Sequence, residues 1–196
     1  MAKKMLEIRW HGRGGQGAVT ASKVFADSAL ATGKQIQAFP EYGSERQGAP
    51  IKAFTRISDE PITIHSQVTN PDIVLLLDPS LLGVVDITEG LSDEGLLIVN
   101  TSMTPDDVRK KIHTTVKKLY TIDATSIALK HLGKNIPNTP MIGALVGATE
   151  MLDINLVAED FREKFKKKFR EDVVTGNVNA IIDAYKEVKG GGNAKS

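Results

Sequence analysis

Residues 12–17 read Gly12-Arg13-Gly14-Gly15-Gln16-Gly17, directly after a strand-like run and directly before a helical pattern. Four glycines in six positions do not build a core. They let a backbone turn tightly and come close to a ligand or a neighbouring segment. Met5-Leu6-Glu7-Ile8-Arg9-Trp10 before them reads as a strand. Ala18, Ala21, Phe25 and Ala29 after them recur at helical spacing. A strand, a glycine turn and a helix start bring amide N–H groups and the positive end of a helix dipole to one point, which suits an anion. Gly12, Arg13, Gly14, Gly15, Gln16 and Gly17 are therefore the candidate cofactor-binding residues. A tight packing turn without a ligand is the alternative.

Gly12, Gly14 and Gly17 also satisfy G-x-G-x-x-G, so a nicotinamide-binding dehydrogenase has to be weighed. That reading needs an acidic residue at the end of the second strand, and Glu41 after Lys34–Pro40 is the candidate. Pro40 and the polar loop beyond it fit a ribose-binding strand end poorly. The chain then continues into another strand rather than the helix of a repeating βαβ unit.

Residues 40–50 read Pro40-Glu41-Tyr42-Gly43-Ser44-Glu45-Arg46-Gln47-Gly48-Ala49-Pro50, a proline-bounded loop carrying two carboxylates, a phenol and a guanidinium. Beyond it, Ile51–Ser58 and Ile62–His65 alternate around Asp59-Glu60-Pro61, a pattern that predicts an antiparallel hairpin. Asp72–Leu77, Leu96–Val99 and Lys118–Ile122 read as strands, the first two covered on both faces. Pro79–Val85, Pro105–Ile112 and Ser126–Leu132 read as helices. Thr139 is the expected N-cap and Pro140 the first residue of a helix buried on all sides through Leu152. Gly143 and Gly147 lie on it, with ordinary helix packing favoured over contact with the glycine turn. Val157, Phe161, Phe165 and Phe169, then Val174, Val178, Ile181, Tyr185 and Val188, form packing stripes. The expected fold is α/β: a layered arrangement on a mixed, mostly parallel sheet with one antiparallel hairpin and a helical C-terminal third. Residues 190–196 read as a disordered tail.

The glycine turn, the Pro40–Pro50 loop and Asn138-Thr139-Pro140-Met141-Ile142-Gly143 together resemble the gamma subunits of the 2-oxoacid:ferredoxin oxidoreductases, with the pyruvate-using branch nearest. Gln47 departs from the second Arg expected in many relatives, so no anion contact is assigned there. The resemblance implies one gamma-subunit domain over residues 1–189, inactive alone, contributing to coenzyme A access and to assembly. It implies alpha, beta and delta partner chains carrying thiamine diphosphate, Mg2+ and 4Fe-4S clusters, with ferredoxin as acceptor and coenzyme A as substrate. Glu41, Tyr42, Glu45 and Arg46 are then expected to contact a partner or coenzyme A. The 2-oxoacid is expected to be pyruvate, with 2-oxoisovalerate, 2-oxoglutarate and indolepyruvate as alternatives. A gamma chain that buttresses its partners and touches no ligand is a further alternative.

Composition fits this reading. Lys plus Arg is 25 and Asp plus Glu 24, a net charge of +1, so no global field draws nucleic acid or an anionic membrane. No apolar run is long enough to span a bilayer, and a cytoplasmic location is expected. The chain has no cysteine, which excludes thiolate catalysis and ordinary iron–sulfur ligation by its own residues. Its four histidines, at 11, 65, 113 and 131, have no metal-ligand spacing, and no catalytic residue is assigned. His11 abuts the glycine turn as a possible anion donor. His65 is expected to end a strand as a structural residue. Asp78, before Pro79, is read as a helix cap or a holder of a ligand hydroxyl.

Overall fold

Strand β1 runs from Met5 to Arg13 and is buried from Ile8 to Gly12, so it lies in the interior of a sheet. The computed structural model describes residues 5–41 and 48–191. After β1 come helix α1 (Ala18–Leu30), β2 (Gln35–Pro40), β3 (Pro50–Ser58), β4 (Ile73–Leu76), β5 (Leu96–Asn100), α2 (Pro105–Ile112) and β6 (Lys118–Ile122). The chain ends in α3 (Ala124–Leu132), α4 (Asn138–Thr149), α5 (Ile154–Phe165) and α6 (Glu171–Lys189). The strands form one sheet in the order β2-β3-β1-β4-β5-β6. β1, β4, β5 and β6 are parallel neighbours, whereas β3 is antiparallel to both β1 and β2. The mixed, mostly parallel sheet and helical last third are those expected.

Alternation along β1 sends its side chains to two different layers. Ile8 and Trp10 join the larger core with α1, α4, α5 and α6. There Trp10 packs edge-on against Phe25, ring centroids 6.1 Å apart. Its indole donates to Thr55 Oγ1 (3.1 Å), and the Thr55 hydroxyl donates to the Ser22 carbonyl (3.1 Å), tying α1 to the sheet. On the opposite face Val74, Leu76, Leu97 and Val99 meet Leu81, Leu82, Ile87 and Val108 in a smaller core.

The hairpin is displaced from its expected place. β2 and β3 form it, and Ile62–His65 makes no strand. β3 already has a strand on each side, so no edge is left for residues 62–65 to pair with. Buried Arg56 holds that segment instead, donating to the carbonyls of Ile64 (3.3 Å) and Ser66 (2.8 Å) while pairing with Glu7 (3.0 Å). His65 is consequently exposed in irregular chain, not at a strand end. The expected Pro79–Val85 helix shrinks to a 3-10 turn, Pro79–Leu81, and Gly83 at φ 79° ends the path. Phe169 lies past α5 and is half exposed, outside the core, although its ring stacks on Phe165 with centroids 5.6 Å apart. Gly190 and Gly191 follow α6, while residues 192–196 of the expected tail lie outside the described residues.

Helix α4 is buried continuously from Thr139 to Gly147. It begins at Asn138, one residue before the expected cap, and the Thr139 hydroxyl donates to Asn177 Oδ1 (2.9 Å) on α6. A Cβ on Gly143 would overlap the Ile181 carbonyl, and one on Gly147 would come 2.9 Å from the Tyr185 carbonyl. The contact on α6 advances by four residues with each step of four on α4, so the two helices run side by side in the same direction. Ordinary helix packing is thus what these glycines serve. Gly143→Ala should force the backbones apart and lower stability by about 1–3 kcal/mol, read by urea unfolding. Gly147→Ala, with the looser contact, should cost less.

Candidate functional site

The parallel strands all end on the same side of the sheet, where Arg13, Asp78, Asn100 and Asp123 stand at or just past their carboxyl ends. After β1 the chain turns into α1 on one face, and after β4 it passes into the layer of Leu81 and Ile87 on the other. The connections therefore diverge between β1 and β4, opening the crevice in which α/β sheets bind ligands. The glycine-rich turn and Asp78 flank it.

β1 extends through Gly12 and Arg13, so the turn proper is shorter than expected, Gly14–Gln16, with Gly17 capping α1. Gly15 and Gly17 have φ of 96° and 81°, values that only glycine adopts without strain. The Gly14 amide donates to the Ala49 carbonyl (3.0 Å), the Gln16 amide to the Arg13 carbonyl (3.1 Å). Among the described residues the amides of Gly15, Gly17 and Ala18 have no partner. They stand at the positive end of α1, which has no side-chain cap.

Arg13 is held by its neighbours. Its Nε donates to Ser80 Oγ (3.0 Å) and lies 3.3 Å from Asp78 Oδ2, and its Nη1 donates to the Gly48 carbonyl (2.9 Å). Gln16 accepts from the Arg13 amide (2.9 Å) and donates to Asp78 Oδ2 (2.5 Å). Asp78 Oδ1 caps the 3-10 turn by accepting from the Ser80 amide (2.8 Å). Burial pushes the Asp78 carboxyl up, but the hydrogen bonds from Ser80 and Gln16 and the Arg13 charge outweigh it. The carboxyl ends below its ordinary value and is ionised at neutral pH. The capping use of Asp78 was legible in Asp-Pro at a strand end; its grip on Arg13 and Gln16 was not.

The three sequence segments that carry the resemblance meet here. The end of the Pro40–Pro50 loop pairs with the turn in both directions, since the Gly48 amide also donates to the Gly14 carbonyl (3.3 Å). Asn138 lies against Gly17, where an added Cβ would come 2.6 Å from Asn138 Nδ2. At the start of the loop the Glu41 amide donates to the Lys52 carbonyl (2.9 Å), and its carboxylate lies 3.7 Å from Lys52 Nζ. Tyr42, Glu45 and Arg46 lie outside the described residues. Glu41 follows β2, and β3 separates β2 from β1. The ribose-binding residue of a dinucleotide fold follows the strand next to β1, so the nicotinamide reading loses its acidic partner.

This arrangement matches a known family over nearly its whole length. The family model for pyruvate ferredoxin/flavodoxin oxidoreductase matches residues 7–187. The chain belongs to this family. Among its relatives is pyruvate synthase subunit PorC of Thermotoga maritima, 49% identical over 96% of this chain and 97% of that one. The pyruvate/ketoisovalerate oxidoreductases common subunit gamma of Pyrococcus furiosus is 46% identical over 94% and 98%. The crystal structure of the Thermotoga maritima pyruvate oxidoreductase subunit PORC superposes with a TM-score of 0.83, at 45% identity over 94% of this chain and 97% of that one. A 2-oxoglutarate:ferredoxin oxidoreductase chain from Magnetococcus marinus shares the fold at a TM-score of 0.74 and 20% identity, this chain covering 31% of it. Among the described residues no group of His, Asp and Glu is placed to hold a metal ion, and no helix is long and apolar enough to cross a membrane.

His11 is not the anion donor that its place in the sequence suggested. It is 2% exposed, and among the described residues its Nε2 has no hydrogen-bond partner. Burial, then the charges of Arg9 and Lys52, lower its pKa to about 3 against the opposing pull of Asp86, so it is neutral at pH 7. Between pH 3 and 6.5 the unfolded chain binds the proton that the folded chain refuses. This contribution to stability is complete above pH 6.5 and is lost as the pH falls, at up to about 1.4 kcal/mol per pH unit. Urea unfolding between pH 7 and 5 should show that slope, and His11→Gln should flatten it.

Proposed function

We propose that this chain is the gamma subunit of a pyruvate:ferredoxin oxidoreductase, a single domain over residues 1–189 that contributes to coenzyme A access and subunit assembly. The complex converts pyruvate, coenzyme A and oxidised ferredoxin to acetyl-CoA, carbon dioxide and reduced ferredoxin. The observation that carries the site assignment is the meeting of the end of the Pro40–Pro50 loop and Asn138 on the Gly14–Gly17 turn, which leaves the Gly15, Gly17 and Ala18 amides without partners among the described residues. Three amides at the positive end of a helix suit a phosphate group of coenzyme A. Glu41, Tyr42, Glu45 and Arg46 belong to the connection pinned to that turn and are assigned to contacts with a partner subunit or with coenzyme A.

The bond-breaking chemistry is assigned to alpha, beta and delta chains, which would carry thiamine diphosphate, Mg2+ and the 4Fe-4S clusters; the assembly is proposed to be cytoplasmic. This chain has no cysteine for cluster ligation and no Gly-Asp-Gly…Asn-Asn motif of the thiamine-binding type. A second reading, suggested by the common subunit of Pyrococcus furiosus, is a gamma chain shared between pyruvate and 2-oxoisovalerate enzymes, with partner chains setting the acid.

Co-expression with candidate partners should yield a complex whose pyruvate-dependent ferredoxin reduction is lost without this chain. The chain purified alone should be colourless and inactive with pyruvate; activity of the single chain would overturn the proposal. Gly15→Val tests the turn, because among the described residues the space around Gly15 is open and its φ of 96° is what resists a side chain. The assembled variant should raise the KM for coenzyme A by about tenfold or more, as expected for losing one hydrogen bond to a charged group. Its KM for pyruvate should hardly change. Normal coenzyme A kinetics would leave the turn a packing device.

A further inference from the structure

We infer that Asp78 is the positioning residue of this site, the fixed point from which the glycine turn and the end of the Pro40–Pro50 loop are hung. The inference deepens the coenzyme A reading and rests on it for its functional consequence, though not for its geometry.

Asp78 is itself immobilised. It directly follows Leu77, whose amide donates to the His11 carbonyl of β1 (2.8 Å), and it is 8% exposed. Its two oxygens do different jobs. Oδ1 accepts from the Ser80 amide, which fixes the carboxylate to its own segment. Oδ2 accepts from Gln16 Nε2 at 2.5 Å and lies 3.3 Å from Arg13 Nε. One oxygen therefore holds the residues on both sides of Gly14-Gly15. Gln16 closes the ring by accepting from the Arg13 amide, so both ends of its carboxamide are used. Arg13 passes the constraint outward to Gly48, and the paired Gly14 and Ala49 groups complete the attachment of the loop.

Two consequences follow. The shape of the turn depends on a residue more than sixty positions away, on another strand. Arg13, matched in charge by Asp78 and engaged through Nε and Nη1, acts as a strut, which leaves phosphate recognition to the backbone amides.

Asp78→Asn tests this with nearly unchanged shape. An Asn oxygen can still accept from Ser80, but the group facing Gln16 and Arg13 loses its charge. Hydrogen–deuterium exchange of the purified chain should show the Gly14, Gln16 and Gly48 amides exchanging about tenfold faster or more. Peptides from α4 and α6 should be unchanged. Unchanged exchange at the turn, or equal loosening throughout the chain, would overturn the inference. Gln16→Met, which removes the bridge without touching the 3-10 turn, serves if Asp78→Asn does not fold, and should loosen residues 14–16 in the same way. In the reconstituted complex, Asp78→Asn should raise the KM for coenzyme A several-fold more than it lowers kcat. Faster exchange with an unaltered KM would uphold Asp78 as the positioning residue and remove coenzyme A from the turn.

Discussion

Everything in this molecule is referred to β1, which pairs antiparallel with β3 on one edge and parallel with β4 on the other. Those two pairings set the direction of every other strand. They also divide the connections, so that α1 leaves toward one face and the segment after β4 toward the other. A crevice between β1 and β4 is the geometric outcome. Its contents follow from strand register: residues that end neighbouring strands become neighbours in space. Arg13 and Asp78 meet for that reason alone.

Local pattern carried much of this far. Lys118–Ile122 and Pro105–Ile112 stand at their predicted bounds, because charge, proline and apolar spacing all agree there. The buried helix through Gly143 was legible in its unbroken apolar character. Failures came where distant segments competed. Ile62–His65 has a strand's alternation, but β1, far earlier in the chain, had taken the edge it required. Gly12 and Arg13 looked like turn residues until pairing with β3 drew them into the ladder, as far as Pro50. No spacing rule reports which edges are occupied.

The site was half legible for the same reason. A glycine turn between strand and helix declares itself, and the anchoring of the charged loop beside it gives the sequence resemblance a spatial basis. His11 was misjudged because adjacency to the turn along the chain says nothing of burial, and burial beside Arg9 and Lys52 is what keeps it neutral. Asp78 was visible as a cap, whereas its hold on two residues of β1 and its turn required the parallel register.

The contact of α4 with α6 through Gly143 and Gly147 has a bearing on how such a subunit can diverge. With glycine at both positions main chain approaches main chain there, so the separation of the two helices is set by these two residues and not by bulky side chains. Bulky residues elsewhere in the layer can be exchanged and repacked without altering that separation. Asn138, at the head of α4, is thereby held against Gly17 whatever the composition of the surrounding core. The helical layer can thus be repacked at its other positions while the glycine turn keeps the neighbour that Asn138 provides.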